Sequence, residues 1–226
     1  MEISGARVLV VGATGVLGGL TARALVERGA RVALAGRSPV RLSALAQDLG
    51  GVPARTFEAC DLDQCSALGP WAGRALSGLE GVLVTVGAAG FGAVEEVSNA
   101  VAGHLLTVNA LCPMAVLRGA APVVADKGFL LAVTGGMTTP WTRTDHWTPY
   151  VPGTADYTAA KAALSGWLGV LSEELVPRSV AVLDIRSPHL DTGFAERPVT
   201  GSPPPLPPGA DALEAALSLM ESIAAA

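Results

Sequence analysis

The sequence is poor in charged and aromatic residues. Charged residues make up 15% of its 226 positions and aromatic residues 4%, whereas hydrophobic residues make up 50%. This hydrophobic fraction excludes an intrinsically disordered chain, and the length is sufficient for one domain with a sizeable core. The formal net charge of −5 argues against nucleic acid or an anionic membrane surface as a partner.

Cysteine is scarce, and the N-terminal residues do not have the pattern of a targeting segment. Cys60, Cys65 and Cys112 form no C-x-x-C pair and no His/Cys set with metal-ligand spacing, so we expect reduced thiols, no metal site and a cytoplasmic location. The first residues lack a basic segment before an apolar one, which predicts no signal peptide. No apolar run of membrane-spanning length is free of Gly, Pro or charge, which predicts no membrane partner.

What the sequence does contain is a regular alternation of strand and helix patterns. Short apolar runs predict six strands, at 7–11, 31–35, within 52–59, and at 81–86, 128–133 and 179–185. Helical patterns lie between and after these strands, at 17–28, 39–50, 63–77, 95–125, 155–175 and from about 209 onwards. The 63–77 pattern is interrupted by Gly69-Pro70, and the 95–125 pattern is expected to bend or break near Pro113.

This alternation of apolar strands with helices predicts an α/β fold whose parallel sheet is covered on both faces. Right-handed crossovers then give a doubly wound, Rossmann-type sheet of about six strands in the order 3-2-1-4-5-6. We expect one nucleotide-binding domain over residues 1–226. Its ligand site should lie beyond the carboxyl ends of the strands, between strands 1 and 4.

A glycine-rich turn, 12-GATGVLG-18, joins the first strand to the first helix. Glycine permits a tight turn and lets the backbone approach a pyrophosphate, which the helix N-terminus stabilises. The alternative is a purely structural turn, but the position between strand and helix favours dinucleotide binding. The predicted cofactor contacts here are Gly12, Thr14, Gly15, Val16 and Leu17.

The residues after the second and third strands predict which dinucleotide is bound. A carboxylate after the second strand would bind the ribose 2′-hydroxyl of NAD, but the sequence has Gly36, Arg37 and Ser38. A guanidinium suits a 2′-phosphate, so we predict NADP(H), although Arg37 could also be a solvated surface residue. Asp61-Leu62 could bracket the adenine, with Asp61 as a helix N-cap either instead or as well.

With these features in place, the chain resembles the short-chain dehydrogenase/reductase family over nearly its whole length. The resemblance is carried by the glycine turn, Asp61-Leu62, Asn109 within VNALCP, the pair Tyr157-x-x-x-Lys161, and 187-SPHLDT-192. It implies that Tyr157 donates a proton to a carbonyl while the reduced cofactor delivers hydride. It also implies that Lys161 holds the nicotinamide ribose and that Asn109 positions water and lysine in a proton relay.

The pair Tyr157 and Lys161 has a physical rationale. A free phenol titrates near pH ~10, and we expect the neighbouring ammonium to favour phenolate and lower that pKa by roughly 1–3 units. Further cofactor contacts follow from the resemblance. They are Tyr157 and Lys161 at the nicotinamide ribose, and Pro188, Leu190 and Thr192 at the carboxamide. Gly87 lies where the family has an asparagine-rich turn, and it can still admit a backbone near the adenosine ribose.

The chain departs from the family pattern after the fifth strand. Gly135 occupies the position of the serine that orients the substrate carbonyl. Thr134 and Thr138 each carry a hydroxyl nearby, and we predict that Thr134 replaces the serine. If neither does, a slow enzyme results, because one oxyanion-type donor contributes about 10²–10³ in rate.

The segment 137–156 is an insertion relative to the family and contains Trp141, Trp147 and Tyr150. One interpretation is a lid over an aromatic or apolar substrate. The other is aromatic packing that pins a long loop or forms a subunit contact.

The end of the chain lacks the pattern of the seventh strand that the family commonly has, and that strand often supports a subunit interface. We therefore predict a homodimer rather than a tetramer. The dimer would form through the face of helix 155–175 that carries Ala159, Ala163 and Trp167.

These features predict an NADPH-dependent enzyme that reduces a ketone or aldehyde, a small-molecule substrate, to an alcohol. Two alternatives stay open. One is an NADP-binding sensor or scaffold with impaired catalysis, favoured by Gly135. The other is a reductase of C=N or C=C bonds with similar hydride geometry.

Overall fold

A computed structural model describes residues 2–135 and 151–226 of the chain. Its centre is a six-stranded parallel sheet, and the strand order β3-β2-β1-β4-β5-β6 confirms the predicted topology. The strands are β1 (Arg7–Val11), β2 (Arg31–Gly36), β3 (Ala54–Thr56), β4 (Gly81–Val84), β5 (Phe129–Val133) and β6 (Ala181–Ile185). The order reverses between β1 and β4, so their carboxyl ends form the crevice in which a ligand is expected.

Helices cover both faces of the sheet, as the alternation of elements requires. They are α1 (Val16–Glu27), α2 (Pro39–Asp48), α3 (Leu62–Ser66), α4 (Leu68–Leu76), α5 (Asn99–Leu106), α6 (Cys112–Ala120), α7 (Ala155–Leu175) and α8 (Ala212–Ala225). Side chains of α1, α2 and α8 form one apolar core with the sheet, and those of α3, α4, α6 and α7 form the other. The predicted leucine stripe of α7 is buried in the second core.

The helical pattern over 95–125 is interrupted, and the interruption begins about one turn before Pro113, the residue near which a bend or break was predicted. After α5 ends at Leu106, residues Thr107–Leu111 form a π-helical turn, and α6 begins at Cys112 with Pro113 in its first turn. Proline has no N–H, so the carbonyl of Asn109 loses its ordinary α-helical donor and the turn widens. The π turns of helices often accompany functional sites, and Asn109 lies inside this one.

The helical run Asn99–Ala120 is apolar and long enough, by composition alone, to cross a membrane. However, 56% of its most apolar window is buried inside the fold. Its inner side chains pack in the core shared with α3, α4 and α7. We therefore assign the run as a core helix of the sheet.

Candidate active site

The glycine turn has the close backbone approach that the sequence predicts. Gly12 has a φ of +89°, a conformation that glycine adopts without strain. A Cβ on Gly18 would lie only 2.4 Å from the carbonyl oxygen of Gly12. Gly15 is the N-cap of α1 and has no side chain to occupy the helix N-terminus. The turn therefore leaves backbone N–H groups available to an anion such as a pyrophosphate.

The ends of β1 and β2 meet at this turn. A Cβ on Gly36 would lie 2.9 Å from the methyl group of Thr14, so the glycine turn packs directly against the end of β2. Arg37 follows and is exposed. Ser38 caps α2 by accepting a hydrogen bond from the Arg41 N–H at 3.4 Å. The predicted cap is confirmed, and Arg37 lies beside the expected cofactor cleft.

Asp61 is the N-cap of α3, which confirms one of its two predicted roles. Its carboxylate accepts from the Gln64 N–H at 3.0 Å and from the Gln64 side-chain amide at 2.8 Å. The backbone hydrogen bond is the largest cause of the lowered pKa of Asp61. Leu62 is exposed at the start of the helix. These contacts leave the adenine-binding role of the two residues as a prediction.

Asn109 is fully buried and binds the loop that follows β4. Its Nδ2 donates to the carbonyl oxygens of Ala88 at 2.9 Å and Leu105 at 3.0 Å, and its Oδ1 accepts from the Ala88 N–H at 3.0 Å. A Cβ on Gly87 would lie 3.1 Å from Oδ1, so glycine allows the loop to lie against the amide. The side chain thus shapes the crevice wall, and the relay role remains a prediction.

Tyr157 and Lys161 lie one turn apart at the start of α7, with the Lys161 Nζ 6.0 Å from the centroid of the Tyr157 ring. Lys161 is 5% exposed and its Nζ donates to the carbonyl oxygen of Val133 at 2.9 Å. Burial lowers the pKa of Lys161 to about 8.

Burial also raises the pKa of Tyr157 to about 12. The expectation that Lys161 lowers the phenol pKa is therefore wrong for the protein without its cofactor. The physical reason is that desolvation of a buried phenolate outweighs the attraction of an ammonium one turn away.

Thr134 does not occupy the position expected of a substitute for the missing serine. It is 1% exposed, and its hydroxyl donates to Asp184 Oδ1 at 2.5 Å. The predicted role in orienting a substrate carbonyl therefore does not fit the geometry. The physical reason is strand alternation, which turns this side chain toward α7 and the neighbouring strand β6 rather than outward.

The backbone explains why glycine follows Thr134. Gly135 has a φ of +109°, a value that L-amino acids rarely adopt. A serine here would fit sterically, since the nearest atom to a Cβ is Ser187 O at 3.8 Å, but its backbone would be strained. The alternative hydroxyl, Thr138, and the aromatic residues Trp141, Trp147 and Tyr150 lie outside the described residues.

The segment after β6 carries the predicted nicotinamide contacts. Pro188 and Leu17 line one cavity of about 130 Å³, bounded on its far side by α8. Leu190 forms a parallel bridge with Ala210, and the Thr192 N–H donates to Leu190 O at 2.9 Å. The structure thus brings Pro188 and Leu17 to one cavity, and the nicotinamide contacts of Pro188, Leu190 and Thr192 stay a prediction.

Phe194 is a residue of the cleft that sequence reasoning missed. Its ring centroid lies 6.3 Å from that of Tyr157, and a Cβ on Gly87 would be 3.5 Å from its ring. Phe194 therefore contacts both the tyrosine and the loop after β4. Its signal in the sequence was an aromatic residue two positions after Thr192 in a chain with few aromatic residues.

Comparison with known proteins agrees with this arrangement. The sequence profile described as short chain dehydrogenase matches residues 6–200. Nodulation protein G of Rhizobium meliloti (strain 1021) is 28% identical over 206 residues, which cover 87% of this chain and 78% of that protein.

Solved structures share the fold. A short-chain oxidoreductase of Thermus thermophilus is 30% identical, with a TM-score of 0.78 over 96% of this chain and 95% of that one. A short chain dehydrogenase of Burkholderia cenocepacia, solved in complex with NADP, is 21% identical. Its TM-score is 0.84 over 99% of this chain and 92% of that one.

Proposed function

This chain belongs to the short-chain dehydrogenase family, and we propose that it is an NADPH-dependent reductase of a ketone or aldehyde with Tyr157 as the proton donor. The observation that carries the proposal is the placement of Tyr157 and buried Lys161 on α7, with Lys161 bonded to the carbonyl that ends β5. That position is at the carboxyl end of the sheet. A binding module without chemistry would not require a buried ammonium beside a phenol there.

The residues that would hold the cofactor fit a dinucleotide. At Gly12 and Gly18, an added Cβ would lie too close to atoms of the glycine turn or of the loop after β4, which line the expected cofactor cleft. At Gly87, an added Cβ would lie too close to the side chain of Asn109, which shapes the crevice wall. When bound, the reduced nicotinamide supplies the hydride. The other contacts that we propose from this chain are Thr14, Gly15, Val16, Leu17, Ser38, Asp61, Leu62, Tyr157, Lys161, Pro188, Leu190 and Thr192.

The raised pKa of Tyr157 suits reduction. With a pKa of about 12, the phenol is protonated at neutral pH and can donate to a developing alkoxide. Lys161, with a pKa of about 8, is mainly an ammonium at pH ~7. Among the described residues its ammonium donates one hydrogen bond, to Val133 O, which leaves donors for a ribose hydroxyl. Oxidation of an alcohol would need the phenolate, which the positive charge of an oxidised nicotinamide favours.

Preference for NADPH over NADH is proposed from Arg37, which is exposed at the end of β2. Substitution Arg37→Glu should weaken NADPH binding by about 10–100-fold, since hydrogen bonds to charged groups contribute roughly 1.5–3 kcal/mol. NADH binding should change far less. Arg31→Glu, a matched change at the opposite end of β2, should affect neither. Fluorescence titration of each variant measures these affinities, and tighter binding of NADH by the unaltered protein would contradict the proposal.

An apolar or aromatic substrate is proposed from the wall beside Tyr157. Phe194 packs with Phe91, Ala89, Ala195 and Leu206 in a separate apolar cluster. Backbone hydrogen bonds hold this wall together, from Val199 N–H to Ala89 O at 2.8 Å and from Phe91 N–H to Thr200 O at 3.0 Å. Such a surface favours a substrate with an apolar group next to its carbonyl.

A second candidate function is an NADP-binding sensor with impaired catalysis. The observation that favours it is the engagement of the Thr134 hydroxyl with Asp184 together with glycine at position 135. These two residues then provide no hydroxyl for orienting a substrate carbonyl. Loss of NADPH absorbance with a panel of ketones and aldehydes distinguishes the enzyme from the sensor.

We also propose a homodimer formed through α7. Ala159 and Ala163 are exposed on this helix, and Trp167 is partly exposed with the Arg118 guanidinium 5.8 Å from its ring centroid. Small residues let two such helices approach closely. A solution mass of two chains by light scattering is the expected result, and a tetramer would contradict it.

A further inference from the structure

Asp184 places a carboxylate inside the fold near the end of the edge strand β6. It pairs in register with Ala132 of β5, and its side chain is 20% exposed. Its neighbour two positions earlier, Val182, packs in the core beneath α7. Asp184 therefore faces the same helix that carries Tyr157 and Lys161.

Both oxygens of this carboxylate are held by hydroxyl groups. Oδ1 accepts from Thr134 Oγ1 at 2.5 Å, and Oδ2 accepts from Ser165 Oγ at 2.5 Å. Hydrogen bonds from a hydroxyl to an ionised carboxylate are this short. Arg186 makes a longer contact, with its Nε 3.4 Å from Oδ2. Three elements thus fix the orientation of the charge: the end of β5, α7 and β6.

Lys161 lies directly beside this arrangement. It precedes Ser165 by one turn of α7, and its Nζ donates to the carbonyl of Val133, the residue before Thr134. Burying an ammonium is costly unless a negative charge compensates it. Desolvation is the largest influence on the pKa of Lys161 and lowers it, while Asp184, followed by Cys112, acts in the opposite direction.

We propose that Asp184 is a positioning residue that keeps the buried Lys161 charged, and that Thr134 and Ser165 hold its carboxylate in place for this purpose. Among the described residues, Lys161 and Asp184 form no direct ion pair. The carboxylate therefore acts on the ammonium through its electric field and not through a hydrogen bond. The catalytic part of this inference rests on the proposed function. The charge of Lys161 itself does not.

Among the residues that the structure describes, the other groups around Lys161 do not supply the same charge. Cys112 faces it from α6, but hydrogen bonding to Cys65 and burial raise the pKa of the Cys112 thiol far above its usual range, so it stays neutral. The Tyr157 ring lies on the same helix and its phenol is neutral at pH ~7, as its raised pKa requires. Arg186 bears a positive charge, is 45% exposed and bonds to Asp184. Within residues 2–135 and 151–226, Asp184 is thus the anion that these elements direct toward Lys161.

The composition of the chain makes this inference testable, because it contains only two lysines, Lys127 and Lys161. Protein grown with ¹³Cε-labelled lysine gives two side-chain NMR signals, and Lys161→Arg removes and so assigns one of them. Lys127 is exposed and serves as the internal reference. The chemical shift of the Lys161 signal is then followed as a function of pH in each variant.

In Asp184→Asn we expect the midpoint of the Lys161 titration to fall by about 1 pH unit or more, since loss of a nearby opposite charge destabilises the cation. Thr134→Val and Ser165→Ala are the matched controls. Each removes one of the two hydroxyl hydrogen bonds but retains the charge and the other hydrogen bond, so the midpoint should fall by clearly less than in Asp184→Asn. An Asp184→Asn midpoint equal to that of the unaltered protein would overturn the proposal.

Two further experiments keep the inference testable if Asp184→Asn does not fold or if the proposed function is wrong. If Asp184→Asn does not fold, Asp184→Glu and Asp184→Ser are compared, and only the carboxylate variant should keep the original midpoint. Equal midpoints for these two would also overturn the proposal.

For carbonyl reduction, the alkaline limb of kcat/KM should move to lower pH in Asp184→Asn and recover in Asp184→Glu, while rates well below both midpoints are unchanged. A uniform loss at every pH would indicate a merely structural role. The NMR arm needs no turnover, so it separates this inference from the proposed function.

Discussion

Replacing Tyr157 by phenylalanine is expected to lower kcat/KM for carbonyl reduction by about 10²–10⁴-fold, the usual contribution of a positioned proton donor. The phenyl ring can still pack against Phe194, whose centroid is 6.3 Å away, so the wall of the cleft is retained. The affinity for NADPH should fall by no more than about tenfold, because only one hydrogen bond to the ribose is lost. Steady-state absorbance and fluorescence titration measure the two quantities.

Tyr150→Phe is the matched control for this experiment, because the chain has two tyrosines. Removing the hydroxyl there should leave kcat/KM within a few-fold of the unaltered protein. Reduction that continues at the original rate in Tyr157→Phe would show that the proton comes from another group. Cofactor binding without any turnover, in the unaltered protein and in both variants, would instead favour the sensor.

Gly18→Ala is expected to weaken cofactor binding by about tenfold or more and to lower the free energy of unfolding by roughly 1–3 kcal/mol. The added Cβ would lie 2.4 Å from Gly12 O and 2.9 Å from Gly12 C, both backbone atoms. Relief of that contact requires α1 to move away from the glycine turn. The N–H groups at the N-terminus of α1 would then no longer lie where they can bind the pyrophosphate.

Gly73→Ala is the same chemical change in another helix, and it should have the opposite effect on stability. A Cβ on Gly73, within α4, meets no atom within 4 Å. Alanine there should stabilise the protein by about 0.5–1 kcal/mol, because glycine loses more conformational freedom in a helix. Urea denaturation and fluorescence titration of both variants provide the comparison. A Gly18→Ala protein with unaltered NADPH affinity would remove the glycine turn from the cofactor site.

The protonation states of the pair on α7 show why adjacency in sequence is an incomplete guide to electrostatics. Two residues four apart were expected to act on each other, with the ammonium lowering the pKa of the phenol. In the folded protein each is governed mainly by its own burial, which raises the pKa of Tyr157 and lowers that of Lys161. At neutral pH the phenol is therefore protonated, which is the state that the proposed reduction requires.

Asp184 shows the converse: residues that are far apart in the sequence lie close together in the fold. It lies 23 positions after Lys161 and 50 after Thr134, and no spacing in the sequence connects these residues. Register between β5 and β6 brings Asp184 beside Ala132, and packing of α7 on that face adds Lys161 and Ser165. The same geometry shows that the Thr134 hydroxyl, predicted for the substrate, binds this carboxylate.

The amino-acid sequence by itself determined the architecture: the six strands and their order, the cap at Ser38, the glycine turn and the helix that carries Tyr157 and Lys161. The strands, the cap, the turn and the helix are encoded locally, because apolar periodicity, capping residues and glycine act within a few positions of themselves. The right-handed crossovers between these elements then restrict the strand order. Only the tertiary structure decided what surrounds each functional group. It placed Phe194 against Tyr157, engaged Thr134 with Asp184 and buried Lys161, since burial and hydrogen bonding depend on contacts between residues far apart in the chain.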